Sequence, residues 1–215
     1  MVSNSLLAMN KTPSGSSGTR LPAAKRRETT VQAVLDLAAV QNPAEITTSA
    51  IAEQMHITQG ALFRHFATKD EIWQAVIEWV TQRMLARVDE TARTAKSPLE
   101  ALETVFMAHI ESHVRHAGVP RIIFGELQRA EDTLAKRMVR KFMGQYVEKL
   151  QAFIEQGKVA GEIDCEVDAK SAATLFVGMI QGLVVQSLVS GNIAITRTKA
   201  REVFALYRRA VRRAT

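Results

Sequence analysis

The sequence predicts an all-α protein of about nine helices. Ala, Leu, Val, Gln, Glu and Arg dominate the 215 residues, whereas proline, glycine and aromatic residues are sparse, which is typical of helices rather than sheets. Apolar residues make up 47% of the chain, which is enough to bury a substantial core. Capping residues precede several apolar runs with helical spacing, and they indicate where the helices begin.

The N-terminal part is predicted to contain a polar arm, one long helix and two short helices. Residues 1–20 are rich in Ser, Gly, Asn and Pro and lack apolar periodicity, so we predict a flexible arm. A helix is predicted to follow over Ala23 to Val40. Two short helices, predicted over 48–55 and 58–66, have threonine hydroxyls as their N-caps.

The rest of the chain is predicted to form six longer helices. Thr68-Lys-Asp-Glu71 has the spacing of a capping box and opens a helix that runs to Thr94. Ser97-Pro98-Leu99-Glu100 repeats the pattern, and this next helix is predicted to end at Gly118 and Pro120. The remaining helices are predicted to end near Ala130 and to span 132–157, 169–190 and 198–213.

The two short helices have the residues that a helix-turn-helix corner requires. Ala52 is small enough for a close approach of the two helices. The apolar residues expected to fill the wedge between them are Ile51, Met55, Ile57, Leu62 and Phe66. The other positions of the second helix face outward, and their Gln, Arg, His and small residues suit the major groove of DNA, where Gln can pair with adenine. A helical corner without DNA contacts is the alternative.

The stretch from Ile46 to Phe66, followed by Thr68-Lys-Asp-Glu71, resembles the DNA-binding signature of the TetR family of transcriptional regulators. The resemblance covers Lys25 to Val80, and beyond it only the lengths and order of the helices are similar. It implies a homodimeric repressor that binds a palindromic double-stranded DNA operator and is released by a small, largely apolar inducer. It also implies three parts, namely the arm over 1–20, a helix-turn-helix DNA-binding domain over 21–68, and a helical ligand-binding and dimerisation domain over 69–215.

The resemblance implies roles for individual residues around the second short helix. Residues expected to contact phosphates or the groove wall are Thr48, Thr58, Phe63, His65 and Lys69, and residues expected to face bases are Gln59, Gly60, Ala61 and Arg64. Two positions depart from the family pattern. His56 replaces a common turn glycine but tolerates a left-handed conformation, and Phe63 replaces a tyrosine, so a hydroxyl contact with phosphate is lost.

The basic residues near the N-terminus have two interpretations. Arg20 and Lys25-Arg26-Arg27 either reach the adjacent minor groove or form a solvated charged run. The net charge of +6 indicates an anionic partner. However, seven basic residues and one glutamate lie from Arg197 to the C-terminus, so net charge by itself does not locate a DNA site.

The last two helices are predicted to form a dimer interface. Residues 169–190 are apolar on nearly every face, and two glycines permit a close neighbour. Packing within the chain would cover one side, and a second subunit would cover the other together with Val203, Phe204 and Tyr207. Such a four-helix interface also spaces two recognition helices for a palindrome. A core wholly within the chain is the alternative.

The middle helices contain the predicted inducer site. Its candidate residues are Met84, Phe106, His109, His113, Phe124, Phe142, Tyr146 and Met179. For each apolar candidate the alternative is an ordinary core position. His109, His113 and His116 share a helix face, where they could hold a metal, line the pocket or lie near an exposed helix end. We predict no metal site, because the spacing is not His-Glu-x-x-His.

Several other classes of function are disfavoured. Cys165 is the only cysteine, so no intramolecular disulfide can form, and we expect a cytoplasmic protein. The longest apolar stretch, Leu175 to Val189, is interrupted by two glutamines and is predicted to be too short for a membrane span. No nucleophile with a base and no phosphate loop is recognisable, so we predict no enzyme and no cofactor. The alternatives are a DNA-bound protein-interaction or chromosome-organising protein without an inducer, and a helical enzyme using His109, Glu111 and His113.

Overall fold

The computed structural model describes residues 23–212, and this part of the chain forms nine α-helices and no β-strand. The helices are α1 (Ala23–Val40), α2 (Thr48–Gln54), α3 (Gln59–Phe63), α4 (Lys69–Thr94), α5 (Pro98–Arg115), α6 (Gly118–Gln128), α7 (Leu134–Val159), α8 (Ala169–Ser190) and α9 (Ala194–Val211). A single 3₁₀ turn, Pro43–Glu45, lies between α1 and α2. The all-α prediction is therefore confirmed, whereas the predicted arm over 1–20 lies outside the described residues.

Side-chain caps explain why most helices begin where they do. Thr47, Thr58, Thr68 and Ser97 each accept a backbone N–H from the residue three positions on, which satisfies a donor that the first turn leaves free. The helix predicted from residue 198 begins four residues earlier, at Ala194. Asn192 is the reason, because its side-chain oxygen accepts the N–H of Ala194 at 3.1 Å.

The first of two main cores joins α1, α2 and α3 to the beginning of α4. Its buried residues are Val31, Val34, Leu35, Ala38, Ile46, Ile51, Ala52, Leu62, Phe66, Ile72, Trp73, Ala75, Val76 and Ile122. The short helices are thus held against a helix of 26 residues. Ile122 belongs to α6, so a helix from the second half of the chain completes this core. The predicted domain boundary between residues 68 and 69 stays a prediction.

The second core lies among α4, α5, α7, α8 and α9, and its centre is aromatic. The ring centroid of Phe106 lies 5.4 Å from that of Phe176 and 5.3 Å from that of Phe204. The Tyr207 ring lies edge-on to Phe176 at 5.7 Å, and its hydroxyl donates to the carbonyl of Ala172 at 3.3 Å. Edge-on and tilted pairs of this kind stabilise a core beyond the apolar area they bury.

Helix α8 is long and apolar enough to cross a membrane by length and composition alone. The prediction that this stretch is too short was therefore wrong on those criteria, because the helix begins six residues before Leu175 with a run of mostly small residues. In the structure α8 packs against α7 and α9, and residues including Phe176, Ile180 and Leu183 are buried. That packing is typical of a core helix.

The first turn of α6 lies directly on α1. A Cβ at Gly118 would be 2.2 Å from the carbonyl oxygen of Leu35 and 3.0 Å from the Cβ of Ala38. The prediction that a helix ends at Gly118 and Pro120 was wrong: α5 ends at Arg115, and both residues belong to the beginning of α6. Proline fits there because the first turn does not use its missing N–H.

We expect Gly118→Ala to lower the free energy of unfolding by about 1–3 kcal/mol, because the new methyl group must displace the α1 backbone. Gly125→Ala is the matched control in the same helix, since a Cβ at Gly125 meets nothing within 4 Å. That control should leave the stability unchanged or raise it by up to about 1 kcal/mol, through helix propensity. Urea unfolding of both variants measures this, and equal stabilities would contradict the close approach.

Candidate functional site

The turn between α2 and α3 has the geometry of a tight helix-turn-helix corner. His56 has a φ of 53°, the only non-glycine residue with positive φ in the described part of the chain, as its place in the turn predicts. The N–H of Ile57 donates to the carbonyl of Ala52 at 3.0 Å, and Ala52 is buried where the helices cross. Thr58 then caps α3 by accepting the N–H of Ala61.

Helix α3 presents most of its predicted DNA-contacting residues to solvent. Exposed residues at its N-cap, along it and just after it are Thr58, Gln59, Gly60, Phe63, Arg64 and His65, whereas Ala61 is half-buried. Leu62 and Phe66 point inward and anchor the helix in the first core. The helix ends at Phe63 rather than at the predicted Phe66, because the N–H groups of His65 and Phe66 both turn back to the carbonyl of Leu62.

A side-chain hydrogen bond joins α2 and α3 on this exposed surface. The amide nitrogen of Gln59 donates to the hydroxyl oxygen of Thr48 at 2.7 Å. This bond leaves the amide oxygen and the second N–H of Gln59 free to face outward. A Cβ at Gly60 would meet nothing within 4 Å, so packing within the chain does not require glycine there. The outer surface of α3 is therefore open around Gly60.

Basic side chains flank the surface at both ends. The ammonium of Lys69 lies 5.5 Å from the Trp73 ring centroid and donates to the carbonyl of Ala44 at 3.4 Å. Burial lowers the pKa of Lys69, an effect that neighbouring Asp70 opposes. Arg27 forms an ion pair with Glu78 at 3.0 Å and so is not a freely solvated charge, whereas Arg20 lies outside the described residues.

A cavity of about 140 Å³ lies among α4, α5, α6, α7 and α8. Its lining residues are Val80, Met84, His109, Ser112, His113, Val119, Pro120, Ile123, Phe124, Leu127, Val139, Phe142, Met143, Tyr146, Val177, Ile180, Gln181 and Val184. The inner wall is buried, but Leu127 is 42% exposed, so the cavity reaches the surface there. Most of the lining side chains are apolar, and a few are polar.

Two histidines are among the polar residues that line the cavity. His109 Nδ1 lies 3.2 Å from the Tyr146 hydroxyl, and His113 Nε2 lies 3.0 Å from the hydroxyl oxygen of Ser187. Burial lowers the pKa of His109 to about 4, with a smaller contribution from neighbouring His113. Burial also lowers the pKa of His113 and raises that of Tyr146. At neutral pH both imidazoles are therefore uncharged and the phenol keeps its proton.

Two family models match the chain over the regions just described. Residues 29–76 match the bacterial regulatory proteins of the tetR family, and residues 95–185 match a tetracyclin repressor-like C-terminal domain. The nucleoid occlusion factor SlmA of Marinobacter nauticus is 30% identical over 144 residues, which are 64% of this chain and 69% of that protein. The chain belongs to the TetR family. It is a DNA-binding transcriptional regulator by that membership.

Solved structures of TetR-family proteins share the fold. A TetR regulator from Haloarcula marismortui superposes with a TM-score of 0.76 at 17% identity, covering 88% of this chain and all of that one. The regulator FadR of Bacillus subtilis, solved with stearoyl-CoA, gives a TM-score of 0.73 at 17% identity and covers 84% and 96% of the two chains. At these identities the likeness concerns the fold alone.

The cavity of this TetR-family chain contains six of the eight predicted ligand residues. Those six are Met84, His109, His113, Phe124, Phe142 and Tyr146. Phe106 and Met179 do not line it. Phe106 instead packs between Phe176 and Phe204, and Met179 packs against the second core. Ser112 and Gln181 also line the cavity, together with its aliphatic wall. The sequence does not predict them, because such residues carry no signal that separates a cavity from a core.

His116 and Glu111, which also lie at the end of α5, are not among the residues that line the cavity. His116 contacts the Trp79 ring edge-on, with centroids 5.2 Å apart. Glu111 forms an ion pair with Arg197 of α9 at 2.8 Å. Among the described residues, no group of three or more His, Cys, Asp or Glu is arranged to hold a metal ion.

The outer face of α8 is an apolar stripe. Its exposed residues are Leu175, Gly178, Val185 and Val189, which recur at helical spacing, and Leu206 of α9 is also exposed. The prediction that Phe204 and Tyr207 take part in a subunit interface was wrong, because both are 1% exposed and point into the aromatic core of their own chain. Val203 is half-buried against the same core.

The buried histidine pair makes stability depend on pH. The pKa of His109 is lower in the folded chain than its ordinary value, so the unfolded chain binds more protons and stability falls as pH drops from about 6.5 towards 4. The full loss from this group is about 3 kcal/mol. We expect His109→Gln to flatten this fall, measured by urea unfolding across pH. Ser112→Ala, which changes the same wall without a titrating group, should keep the parental profile, and identical profiles for all three proteins would contradict the assignment.

Proposed function

We propose that this TetR-family regulator is a repressor that binds a palindromic operator as a homodimer and is released by a small, mostly apolar ligand in the cavity. The observation on which this rests is the position of α6, which contributes to the cavity wall and to the core beneath the helix-turn-helix. A ligand that prefers one position of α6 would therefore change the position of α1.

Helix α6 faces the two halves of the chain with different residues. Val119, Pro120 and Ile123 line the cavity, whereas Ile122 is buried with the residues of α1 to α4. At Gly118 the first turn of α6 packs directly against the α1 backbone. A shift of α6 towards α1 would therefore have to move α1 as well. Packed helices respond to such a shift as rigid elements. The proposed ligand would thus alter the spacing of the two recognition helices in a dimer.

The exposed side chains of α3 fit a role in the major groove. Gln59 can hydrogen-bond to adenine and Arg64 to guanine, while Gly60 and Ala61 let the helix approach the base edges. Thr48, Thr58, Phe63, His65 and Lys69 would contact phosphates or the groove wall, and these contacts position the helix without specifying sequence. The ammonium of Lys69 has three N–H donors, so its bond to Ala44 leaves two for a phosphate oxygen.

We propose that a second copy of the chain covers the apolar stripe of α8 and the exposed residues of α9. Leu175 and Val185 are large apolar residues that are 50% and 46% exposed on the same face of α8. Cβ atoms at Gly178 and Gly182 would meet nothing within 4 Å, so a neighbouring helix can approach closely there. Two copies would form a four-helix interface with two-fold symmetry, which matches a palindromic operator.

Gln59 and Lys69 test the two kinds of DNA contact. After selection of bound duplexes from a random pool, we expect Gln59→Ala to relax the sequence preference of the wild-type protein at the contacted base pair. Lys69→Ala should weaken binding to all duplexes and reduce the slope of log affinity against log salt by about 1. Gel-shift titrations at several salt concentrations measure both. If both variants changed specificity equally, the division into base and phosphate contacts would be wrong.

Val185→Glu tests the dimer. Two-fold symmetry would bury two unpaired carboxylates in one interface, so we expect dimer affinity to fall by about a hundredfold or more. Analytical ultracentrifugation measures the change. Val159→Glu is the control, because Val159 lies at the end of α7, is 92% exposed and is outside the stripe. Equal dimerisation of both variants would exclude α8 as the interface.

A DNA-bound protein that helps to organise the chromosome without an inducer is the second candidate. The similarity to SlmA favours it, since those relatives are named nucleoid occlusion factors. Many dispersed binding sites in the genome, together with no effect of any cavity ligand on DNA binding, would support this alternative. A few sites near promoters and ligand-dependent release would support the repressor.

We infer that the chain has no catalytic role and works in the cytoplasm, where its operator would lie. An enzyme using His109, Glu111 and His113 is disfavoured, because Glu111 pairs with Arg197 and is not among the residues that line the cavity. The Ser187 hydroxyl beside His113 donates its hydrogen to the carbonyl of Val184, and Ser187 is not among the residues that line the cavity, so this pair is not arranged as a nucleophile and its base.

A further inference from the structure

We infer that the cavity takes an uncharged carbonyl compound, such as a ketone or an ester, whose oxygen accepts a hydrogen bond from Nε2–H of His109. This inference rests on the proposed ligand-binding role of the cavity and specifies the chemistry of its ligand. It follows from the hydrogen bond of Tyr146, from the open nitrogen of His109 and from the charge and size of the lining.

The Tyr146 hydroxyl determines which nitrogen of His109 has the proton. This phenol keeps its hydrogen at neutral pH, because burial raises the pKa of Tyr146. Its one hydrogen-bond partner in the described part of the chain is Nδ1 of His109, at 3.2 Å. Tyr146 is 1% exposed, so its O–H group has no other acceptor in solvent. The phenol must therefore donate to Nδ1, since its hydrogen would otherwise be buried without an acceptor.

The other nitrogen of His109, Nε2, is a donor that the fold leaves open. A neutral imidazole whose Nδ1 accepts a hydrogen bond has its own hydrogen on Nε2. Within residues 23–212 no group accepts this hydrogen, and Nε2 is not one of the polar atoms that are both buried and without a partner. Some surface of this nitrogen is therefore open to a molecule of the size of water. Nδ1 of His113 differs in this respect, because it is fully buried.

The open surface of His109 faces the cavity rather than the outside of the protein. His109 is a half-buried residue that lines the cavity. Burial lowers its pKa to about 4, which an imidazole at the outer surface would not show. A molecule in the cavity is therefore the acceptor that Nε2–H can reach.

The lining excludes charged groups on the ligand. Among the described residues that line the cavity there is no Asp, Glu, Lys or Arg, and His109 is uncharged at neutral pH. A carboxylate or an ammonium group would be buried there without a partner charge. A ketone or an ester has no charge, and its oxygen accepts without bringing a hydrogen that itself needs an acceptor. An uncharged carbonyl group therefore fits both the donor and the lining.

The size of the cavity limits the rest of the molecule. Its volume of about 140 Å³ is close to that of an engineered apolar cavity of about 150 Å³ that binds benzene. Apolar side chains, including Phe124, Phe142 and Met143, form most of the wall. A single ring or a short branched chain with one carbonyl group therefore matches both the volume and the polarity.

Four probes with the same six-membered ring test the inference on the full-length protein. Cyclohexanone has the acceptor, methylenecyclohexane replaces its oxygen by a CH₂ group, cyclohexanol adds a hydrogen to the oxygen, and cyclohexanecarboxylate has a negative charge. Isothermal titration calorimetry measures the affinity of each. The quantity compared between variants is the ratio of the cyclohexanone affinity to the methylenecyclohexane affinity, because the hydration of the free probes then cancels.

Two variants separate the hydrogen bond of His109 from its packing. His109→Phe keeps an aromatic ring but lacks the donor, so we expect the ratio to fall about tenfold while methylenecyclohexane still binds. Tyr146→Phe removes the group that fixes the hydrogen on Nε2, so the ratio should fall by less although His109 remains. His116→Phe is the matched control and should keep the wild-type ratio, since His116 lies at the end of the same helix but does not line the cavity.

Infrared spectroscopy of bound cyclohexanone gives a second readout that does not depend on affinity. A carbonyl group that accepts a hydrogen bond absorbs at a lower wavenumber than a free one. We expect this lower wavenumber in the wild-type protein and in His116→Phe, whereas the band should return towards the free value in His109→Phe.

The possible failures are distinguishable. Equal ratios in the wild-type protein and in His109→Phe, together with the same carbonyl band in both, would overturn the carbonyl inference and leave the ligand-binding role intact. Tighter binding of cyclohexanol or of cyclohexanecarboxylate than of cyclohexanone would overturn it as well, because the site would then need an acceptor or a cation. Binding of none of the four at millimolar concentration would overturn the inference together with the ligand-binding role.

Discussion

Gly118 lies against the backbone of α1 where a single methyl group would not fit, and this contact joins the two halves of the chain. One turn later, Ile122 is buried with α1 to α4, while its neighbour Ile123 lines the cavity. The first three helices therefore do not form a core by themselves. Their packing includes α6, and the same helix forms part of the cavity wall. Close packing makes such an arrangement stiff, so small displacements are transmitted rather than absorbed.

The helix-turn-helix corner of α2 and α3 packs against the first core on its inner side and is exposed to solvent on its outer side. Leu62 and Phe66 fix the second short helix to the long α4, and the left-handed His56 turns the chain between the two helices. Because the inner residues form the core contacts, the outer residues of α3 are not constrained by packing within the chain. Gly60 illustrates this division, since the core would tolerate a side chain there.

The cavity combines an apolar wall with polar groups that are incompletely satisfied. Phe106 packs into the aromatic core behind it, whereas His113 keeps one buried nitrogen without a hydrogen-bond partner. An unpaired buried acceptor reduces stability, so its presence conflicts with the rule that buried polar groups find partners.

Local features of the sequence determined the helices, the corner and its outward surface. Caps such as Thr68 and Ser97, and the spacing of apolar residues, act within one or two turns and can be recognised without the fold. The same local signals wrongly predicted that Gly118 and Pro120 end α5, whereas both belong to the beginning of α6. A glycine and a proline that follow one helix can also begin the next one. Only the tertiary structure decided that α6 serves two cores, that Phe204 and Tyr207 face inward, and that His113 meets Ser187 across 74 residues of chain. Those outcomes depend on which faces meet in space, and neighbours along the chain do not specify that.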